Sequence, residues 1–438
     1  MYQQRRERLM EQMGEGSLGL WIAPPARNRS ADTDYIYRQS SDILYLTGCA
    51  HPESAVILRP SAKEERFVLF VQPRDVEKEV WNGRRPGPEK AQELYQADAT
   101  YPIEELPKKI AEYLVGEERF YYRLGLDAAQ DLKVLGWLEA VRRQRRTGSR
   151  TPSAILDPGE LLNELRLLKD PTEAKLMRQS AKFTAEAHAL AMAVVRPGMP
   201  EYQLEALIAY HFRKNGATSV AYNSIVGGGE NATILHYTEN ENILKDGDLV
   251  LIDAGGEFNY YAADITRTFP VNGKFSSKQR DVYEVVLAAE KAAIESCQPG
   301  LRFSDVHDKA VRVLTEGLIE LGALEGSADE LIENVAYKPF YMHKTGHWLG
   351  MDVHDVGNYF ETGATSRILK PGMVLTVEPG LYFNSHYNKE PAAETFHGIG
   401  IRVEDDILIT EFGYENLTED APKEIADIEA LAGTKELP

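Results

Sequence analysis

Leu249-Val-Leu-Ile-Asp-Ala-Gly-Gly-Glu-Phe-Asn-Tyr-Tyr-Ala-Ala-Asp-Ile-Thr-Arg-Thr-Phe269 decides how the chain is read. An apolar, β-branched run ends in Asp253, Gly255 and Gly256 open a turn, and a second such run carries Asp264. A hairpin with its tip between Phe258 and Asn259 sets Asp253 and Asp264 opposite each other on one face, with Cβ atoms roughly 4.5–5.5 Å apart. One Asp capping a turn and the other facing solvent is the plain alternative. The apolar flanks make both expensive to bury unpaired. Two carboxylates that close repel unless a positive charge lies between them or one keeps its proton. The hairpin therefore reads as half of a metal site.

The other half is sought downstream. Met342-His-Lys-Thr-Gly-His-Trp-Leu-Gly-Met-Asp-Val-His354 holds three of the chain's ten histidines. His343 and His347 have the i, i+4 spacing of a helical metal pair, but Gly346 and Gly350 argue against a regular helix. Gly372-Met-Val-Leu-Thr-Val-Glu-Pro-Gly380 reads as a strand ending on Glu378. Gly398-Ile-Gly-Ile-Arg-Val-Glu-Asp-Asp-Ile-Leu-Ile-Thr410 reads as another, with Arg402 and Glu404 on the face opposite Val403. Either Glu alone is unremarkable. Together, four carboxylates and a His from four β segments form a mostly hard ligand set whose charge calls for two divalent cations. Oxygen-rich coordination favours Mn²⁺ or Mg²⁺, and the imidazole admits Zn²⁺, Co²⁺ or Fe²⁺. Two metals would hold a bridging water and polarise a substrate oxygen, so the reaction type is metal-assisted hydrolysis.

The 438 residues suffice for two or three domains, and 43% hydrophobic content supports real cores. With 68 acidic against 49 basic residues the net charge is −19, which argues against nucleic acid or an anionic membrane as partner. Two cysteines, Cys49 and Cys297, make no disulfide framework. The charged N-terminus lacks a signal-peptide core, and no apolar run nears the ~20 residues of a spanning helix. The expectation is a cytoplasmic protein.

Residues 1–158 read as an α/β domain, with strands at Leu18–Ala23, Ala55–Leu58 and Arg66–Val71 and helices at Tyr2–Gly14, Ile103–Leu114 and Ala128–Gln144. Two patches in it, Tyr35–Gly48 and Trp81-Asn-Gly-Arg-Arg85, read as interface anchors or as half-buried surface aromatics. The basic, then Thr/Ser/Pro-rich, region Arg142–Pro158 marks the boundary, and 159–438 form a second domain. It opens with a long helix announced by Lys169-Asp-Pro171, followed by a helix at Pro200–Lys214 and a third at Leu301–Leu321, inside an all-helical stretch from Gln279. From 334 onward short strands and Gly-rich turns are expected. Gly227-Gly-Gly229 lacks the Gly-Lys-Ser/Thr of a phosphate cradle and reads as a turn near His236.

Leu251-Ile-Asp-Ala-Gly255, Asp264-Ile-Thr-Arg267, Gly346-His-Trp-Leu-Gly350, Val377-Glu-Pro-Gly380 and Arg402-Val-Glu-Asp405 together resemble the pita-bread-fold metallopeptidases. The resemblance runs along essentially the whole chain. It implies an α+β catalytic domain of the creatinase/aminopeptidase-like type behind the α/β N-terminal domain. It also implies two divalent ions, Mn²⁺ foremost, held by Asp253, Asp264, His347, Glu378 and Glu404, with Asp264 and Glu404 bridging and Glu378 shuttling the proton. By the same resemblance His236 contacts substrate near the proline carbonyl, and His343 and His354 line the pocket, His354 donating to the developing oxyanion. Tyr382 and Arg402 orient the ligands from outside.

Tyr37–Gly48 and Trp81–Arg85 are similar to the N-terminal domain of the proline-specific members, closest to bacterial Xaa-Pro aminopeptidases. That similarity implies a peptide substrate with proline second, and a homo-oligomer (dimer or tetramer) in which Trp81 reaches a neighbour's site. One departure is the loop Tyr359–Arg367, which carries a single Arg where two are expected. A prolidase restricted to Xaa-Pro dipeptides would use the same five ligands. A non-catalytic binding module of this fold, or a metal-free hydrolase of the creatinase sort, would carry substitutions at ligand positions, and here all five are intact.

Overall fold

A computed structural model describes residues 1–144, 150–389 and 392–437. Part of the expected linker, 145–149, lies outside them. Two compact units emerge, Met1–Arg166 and Leu167–Pro438. Composition places the boundary at 158/159, but the helix Gly159–Leu167 belongs with the first unit as far as Arg166. Arg166 donates to Asp42 at 2.8 Å, and Tyr45 OH donates to the Leu165 carbonyl at 3.0 Å.

The first unit is built on a six-stranded mixed sheet in the order Ala99–Pro102, Phe67–Val71, Ala55–Leu58, Ser17–Ile22, Arg119–Tyr121, Ala154–Leu156. The two pairings between 17–22, 55–58 and 67–71 are antiparallel, and the other three are parallel. Strands alternating with helices produce this layered arrangement. The helices Leu106–Tyr113 and Ala128–Arg143 turn Ile110, Val134 and Leu138 toward Leu18, Ile57 and Phe70. The first aromatic patch divides. Ser41–Thr47 is a wholly buried helix whose Tyr45 and Leu46 carbonyls accept from Arg5 and Arg6, whereas Tyr35 and Ile36 are exposed. The second patch forms the exposed helix Val76–Asn82, with Trp81 86% exposed.

The second unit begins as expected. Asp170 accepts from the N–H groups of Thr172 and Glu173, the Glu173 side chain accepts from the Asp170 N–H, and Pro171 fills the first helical position of Pro171–Val194. This helix carries Ser180, Thr184 and His188 four residues apart, hence on one face. All three grip the backbone of the turn after Asp253. Ser180 Oγ donates to the Gly256 carbonyl at 2.7 Å, Gly256 N–H donates to Thr184 Oγ1 at 3.1 Å, and His188 Nε2 reaches the Ala254 carbonyl at 2.9 Å. Burial pushes the His188 pKa down to about 4, so it acts as a neutral donor.

The hairpin forms, but its register differs from the one expected. Asp253 pairs with Thr266 and Phe258 with Tyr261, so the tip is Asn259-Tyr260, not Phe258-Asn259. Both tip residues have positive φ (48° and 68°), as a type I′ turn demands, and that preference sets the register. Asp264 thus lies two residues from Asp253's partner; an even shift preserves the face.

The helical stretch from 279 holds Ser277–Glu295 and, where a helix is expected over Leu301–Leu321, Phe303–Glu320, with Pro299-Gly300 between them. One further expectation is corrected: the strand expected over 398–410 divides. Gly400–Arg402 pairs with Gly380–Tyr382, and Asp405–Thr410 pairs with Val374–Val377, so Glu404 sits at the switch, bridged to Thr266.

Gly255 is where the turn admits no side chain, since a Cβ there would stand 1.7 Å from the Ala263 carbonyl oxygen. Gly255→Ala should cost about 3 kcal/mol, the upper end of overpacking. At roughly 2–4 °C per kcal/mol for a domain of this size, the thermal midpoint should fall by about 6–12 °C. An unchanged midpoint in a thermal melt would mean that the turn is not closed as described.

Candidate metal centre

Strand ends and turns of the second unit bring the acidic residues together. Asp253 closes the strand Leu249–Asp253, Asp264 stands just before Thr266–Pro270, Glu378 follows Val374–Val377, and Glu404 occupies the switch. His347 lies on extended backbone, not a helix: Thr376 N–H donates to the His347 carbonyl at 3.0 Å and Glu378 N–H to the Thr345 carbonyl at 2.7 Å. One donor atom each from Asp264, His347 and Glu404 lie within 4.8 Å of one another. His347 Nε2 is 3.5 Å from Asp264 Oδ2 and 3.9 Å from Glu378 Oε1. Its Nδ1 is 3.1 Å from the Trp348 carbonyl, which fixes Nδ1–H and turns Nε2 toward the carboxylates.

A tyrosine that sequence reasoning missed links the two aspartates. Tyr222 OH is 2.6 Å from Asp253 Oδ1 and makes a short contact with Asp264 Oδ1. It lies more than thirty positions upstream, in Ala221-Tyr-Asn-Ser224, and no local pattern marks it. Arg402 binds Asp253 Oδ2 at 2.6 Å, Tyr382 OH at 3.0 Å and Thr266 Oγ1 at 3.1 Å. Thr266 Oγ1 donates in turn to Glu404 Oε2 at 2.6 Å.

His343 Nε2 is 2.8 Å from Tyr382 OH, and burial together with the Arg402 charge pushes its pKa down to about 3. The exposed His354 ring stands edge-on to His347 at 4.3 Å. Its pKa is lowered by partial desolvation beside the protein surface and by the charges of His347 and His236. His236 is exposed, and its charge bears on both His343 and His354. Trp81 belongs to the first unit. Arg367 of the 359–367 loop is buried, with its guanidinium on the Asn358 carbonyl at 3.4 Å.

The electrostatics test whether cations fit. Burial and the Asp253 charge raise Asp264, burial and the charges of Asp264 and Glu378 raise Glu404 well above the usual carboxylate range, and burial raises Glu378 to about 7. Burial works against the His347 imidazolium, but the Asp264 hydrogen bond and the Glu378 charge hold it near 9. Hard oxygen donors that cannot all ionise unaided, beside one oriented imidazole nitrogen, suit divalent cations.

This chain belongs to metallopeptidase family M24, whose model matches residues 175–411; residues 2–122 match the aminopeptidase P N-terminal domain. It has the two-domain pita-bread architecture and is a metal-dependent peptidase by family. Over 431 residues it is 46% identical to the Xaa-Pro aminopeptidase of Escherichia coli strain K12, covering 98% of this chain and 97% of that one. Its structure matches the Pseudomonas aeruginosa aminopeptidase PepP with a TM-score of 0.95 at 46% identity, covering 98% and 97% of the two chains. It also matches a zinc-substituted Escherichia coli aminopeptidase P in complex with product, with a TM-score of 0.94 at 46% identity and the same coverage.

In metal-free protein a carboxyl raised in the folded state is fully accommodated below its unfolded pKa, and stability is lost as pH rises toward the folded pKa. Relative to Glu378→Gln, the metal-free protein should therefore lose up to about 3 kcal/mol between pH 4.5 and about 7. Urea titrations across that range check it, and parallel profiles would show that Glu378 is not held against its charge.

Proposed function

We propose that the chain is a dinuclear-metal exopeptidase that cleaves between an N-terminal residue and a following proline. The observation that carries this reading is that the likeness to Xaa-Pro aminopeptidase runs through the N-terminal unit as well as the catalytic one, at 46% identity over 98% of the chain. Asp253, Asp264, His347, Glu378 and Glu404 would hold the two cations. Four carboxylates against one imidazole favour Mn²⁺, with Zn²⁺, Co²⁺ and Fe²⁺ admitted. Bound there, divalent cations supply Lewis acidity, lowering the pKa of water and polarising a peptide carbonyl.

The chain's own groups do the rest. Glu378 would take a proton from the attacking water and deliver it to the proline nitrogen as the C–N bond breaks. His354 donates to the oxyanion that develops on the scissile carbonyl. His236 contacts the proline carbonyl, and His343 lines the pocket through its contact with Tyr382. Arg402 and Tyr382 hold Asp253 and His343 in place from behind. The exposed Trp81 fits a role in a neighbouring subunit's site, in a homodimer or homotetramer. Among the described residues no helix is long and apolar enough to cross a membrane, which accords with a cytoplasmic enzyme acting on peptides.

Asp264→Ala should leave the protein folded by circular dichroism and lower metal-dependent turnover by more than about a hundredfold, the loss typical of removing a mere orienting partner. A fully active variant would sink the assignment. With Mn²⁺ restored to stripped protein, release of the first residue from a longer Xaa-Pro peptide is the expected activity. Turnover confined to Xaa-Pro dipeptides would make the enzyme a prolidase.

A further inference from the structure

We propose that the buried Lys169–Asp355 ion pair positions His347, acting through the Trp348 carbonyl. The inference rests on the reading of His347 as a metal-holding residue. Lys169 Nζ lies 3.1 Å from Asp355 Oδ2, and both side chains are 1% exposed. The ammonium also reaches the Leu167 carbonyl at 3.4 Å. A pair this deep contributes little net stability, because desolvating both charges offsets their attraction and an apolar pair of similar volume commonly does as well. What it does supply is a fixed direction.

That direction leads to the metal centre. Asp355 N–H donates to the Trp348 carbonyl at 2.8 Å, and the same oxygen is the partner of His347 Nδ1 at 3.1 Å. One carbonyl thus takes its position from Asp355 and sets the ring orientation of His347. The loop between them wraps the pair closely. A Cβ on Gly350 would stand 2.0 Å from Asp355 Oδ2 and 2.9 Å from Lys169 Cε, so only glycine lets the backbone pass. Gly350 in turn accepts Ala262 N–H at 2.8 Å, tying the loop to the hairpin that carries Asp264. Lys169 directly precedes the Asp170 cap of the helix Pro171–Val194, whose Ser180, Thr184 and His188 hold the turn after Asp253. A single rigid element therefore registers His347 and Asp253 against each other.

Lys169 and Asp355 are positioning residues; neither touches substrate. The test uses the full-length protein, Lys169→Met, the near-isosteric Asp355→Asn, the double variant and His347→Ala, with Mn²⁺ affinity measured by isothermal titration calorimetry on stripped protein. Each single variant should bind Mn²⁺ about 10–100-fold more weakly, the range typical of removing an outer partner of a metal-holding His. The double variant should be no worse than either single one, as for two residues acting as a unit. With saturating Mn²⁺, kcat should fall and KM stay within about twofold, since substrate is not touched. A merely structural pair would lower the thermal midpoint and leave Mn²⁺ affinity of the folded protein unchanged, which overturns the proposal. If Lys169→Met fails to fold, Asp355→Asn, which preserves shape, decides alone. His347→Ala separates the two failures. Wild-type Mn²⁺ affinity in that variant would refute the metal reading itself, whereas its loss alongside unchanged Lys169→Met and Asp355→Asn would refute only the positioning role.

Discussion

Four carboxyl groups crowded away from water repel one another, and the second unit is arranged to keep them together regardless. Two unit charges 4 Å apart at an effective dielectric of 20 interact by about 4 kcal/mol. Against that stand one guanidinium, one imidazole and the hydroxyls of Tyr222 and Thr266. Arg402 binds Asp253, while the Tyr222 hydroxyl is shared between Asp253 and Asp264. For Glu404 and Glu378 burial and like charge win, and both are driven toward the protonated form. A pocket with this imbalance is completed by cations. On the proposed reading divalent cations take the place of the protons that otherwise relieve this repulsion.

Holding such a cluster requires a frame that does not relax, and the frame lies directly behind it. Arg267 is fully buried and donates to the Thr266 and Glu404 carbonyls at 2.9 and 2.6 Å and to Asp405 Oδ1 at 2.6 Å. The consecutive acids Glu404, Asp405 and Asp406 thereby have opposite fates. Glu404 faces other carboxylates and is pushed up. Asp405 is buried too, but Arg267 and Lys423 hold it well below the usual carboxylate range. Asp406 accepts Asp264 N–H at 3.0 Å and is raised by burial and the Asp264 charge. Three adjacent acids of similar intrinsic pKa are sorted by what the fold sets beside each one.

The sequence made some of this legible and hid the rest, for reasons that differ by residue. Runs such as Leu249–Asp253 and the Asp170/Glu173 capping box are local, so their elements stand where pattern places them. The hairpin face was also legible, because an even register shift leaves side-chain direction unchanged; the register was not, because it depends on Asn259 and Tyr260 both taking positive φ. The switch at Val403–Glu404 reads as unbroken strand in the sequence, since an apolar run carries no mark of where it changes partner. Tyr222 was invisible: its function is defined by two aspartates more than thirty positions away. The carboxylates Asp253, Asp264, Glu378 and Glu404 are nameable from strand-end patterns, whereas the choice of His347 among the histidines and the readings of His236, His343, His354, Tyr382 and Arg402 come from the family resemblance.

The grip of Ser180, Thr184 and His188 on the turn after Asp253 explains why a polar stripe survives on a buried helix face. Across the turn Ala254 N–H still donates to the Ile265 carbonyl and Ala263 N–H to the Gly256 carbonyl, but the Ala254 carbonyl and the Gly256 N–H point the other way and need partners in the buried interior. Side chains four residues apart on a helix meet that need with little freedom to lose. A neutral His188 serves where a charged one would add to the local field, and burial keeps it neutral. The cost of burying these polar groups is thus offset by the backbone they satisfy, and the by-product is a turn that cannot drift. Because Asp253 ends the strand feeding that turn, precision at the carboxylate follows from hydrogen-bond accounting in the core, before any metal or substrate is considered.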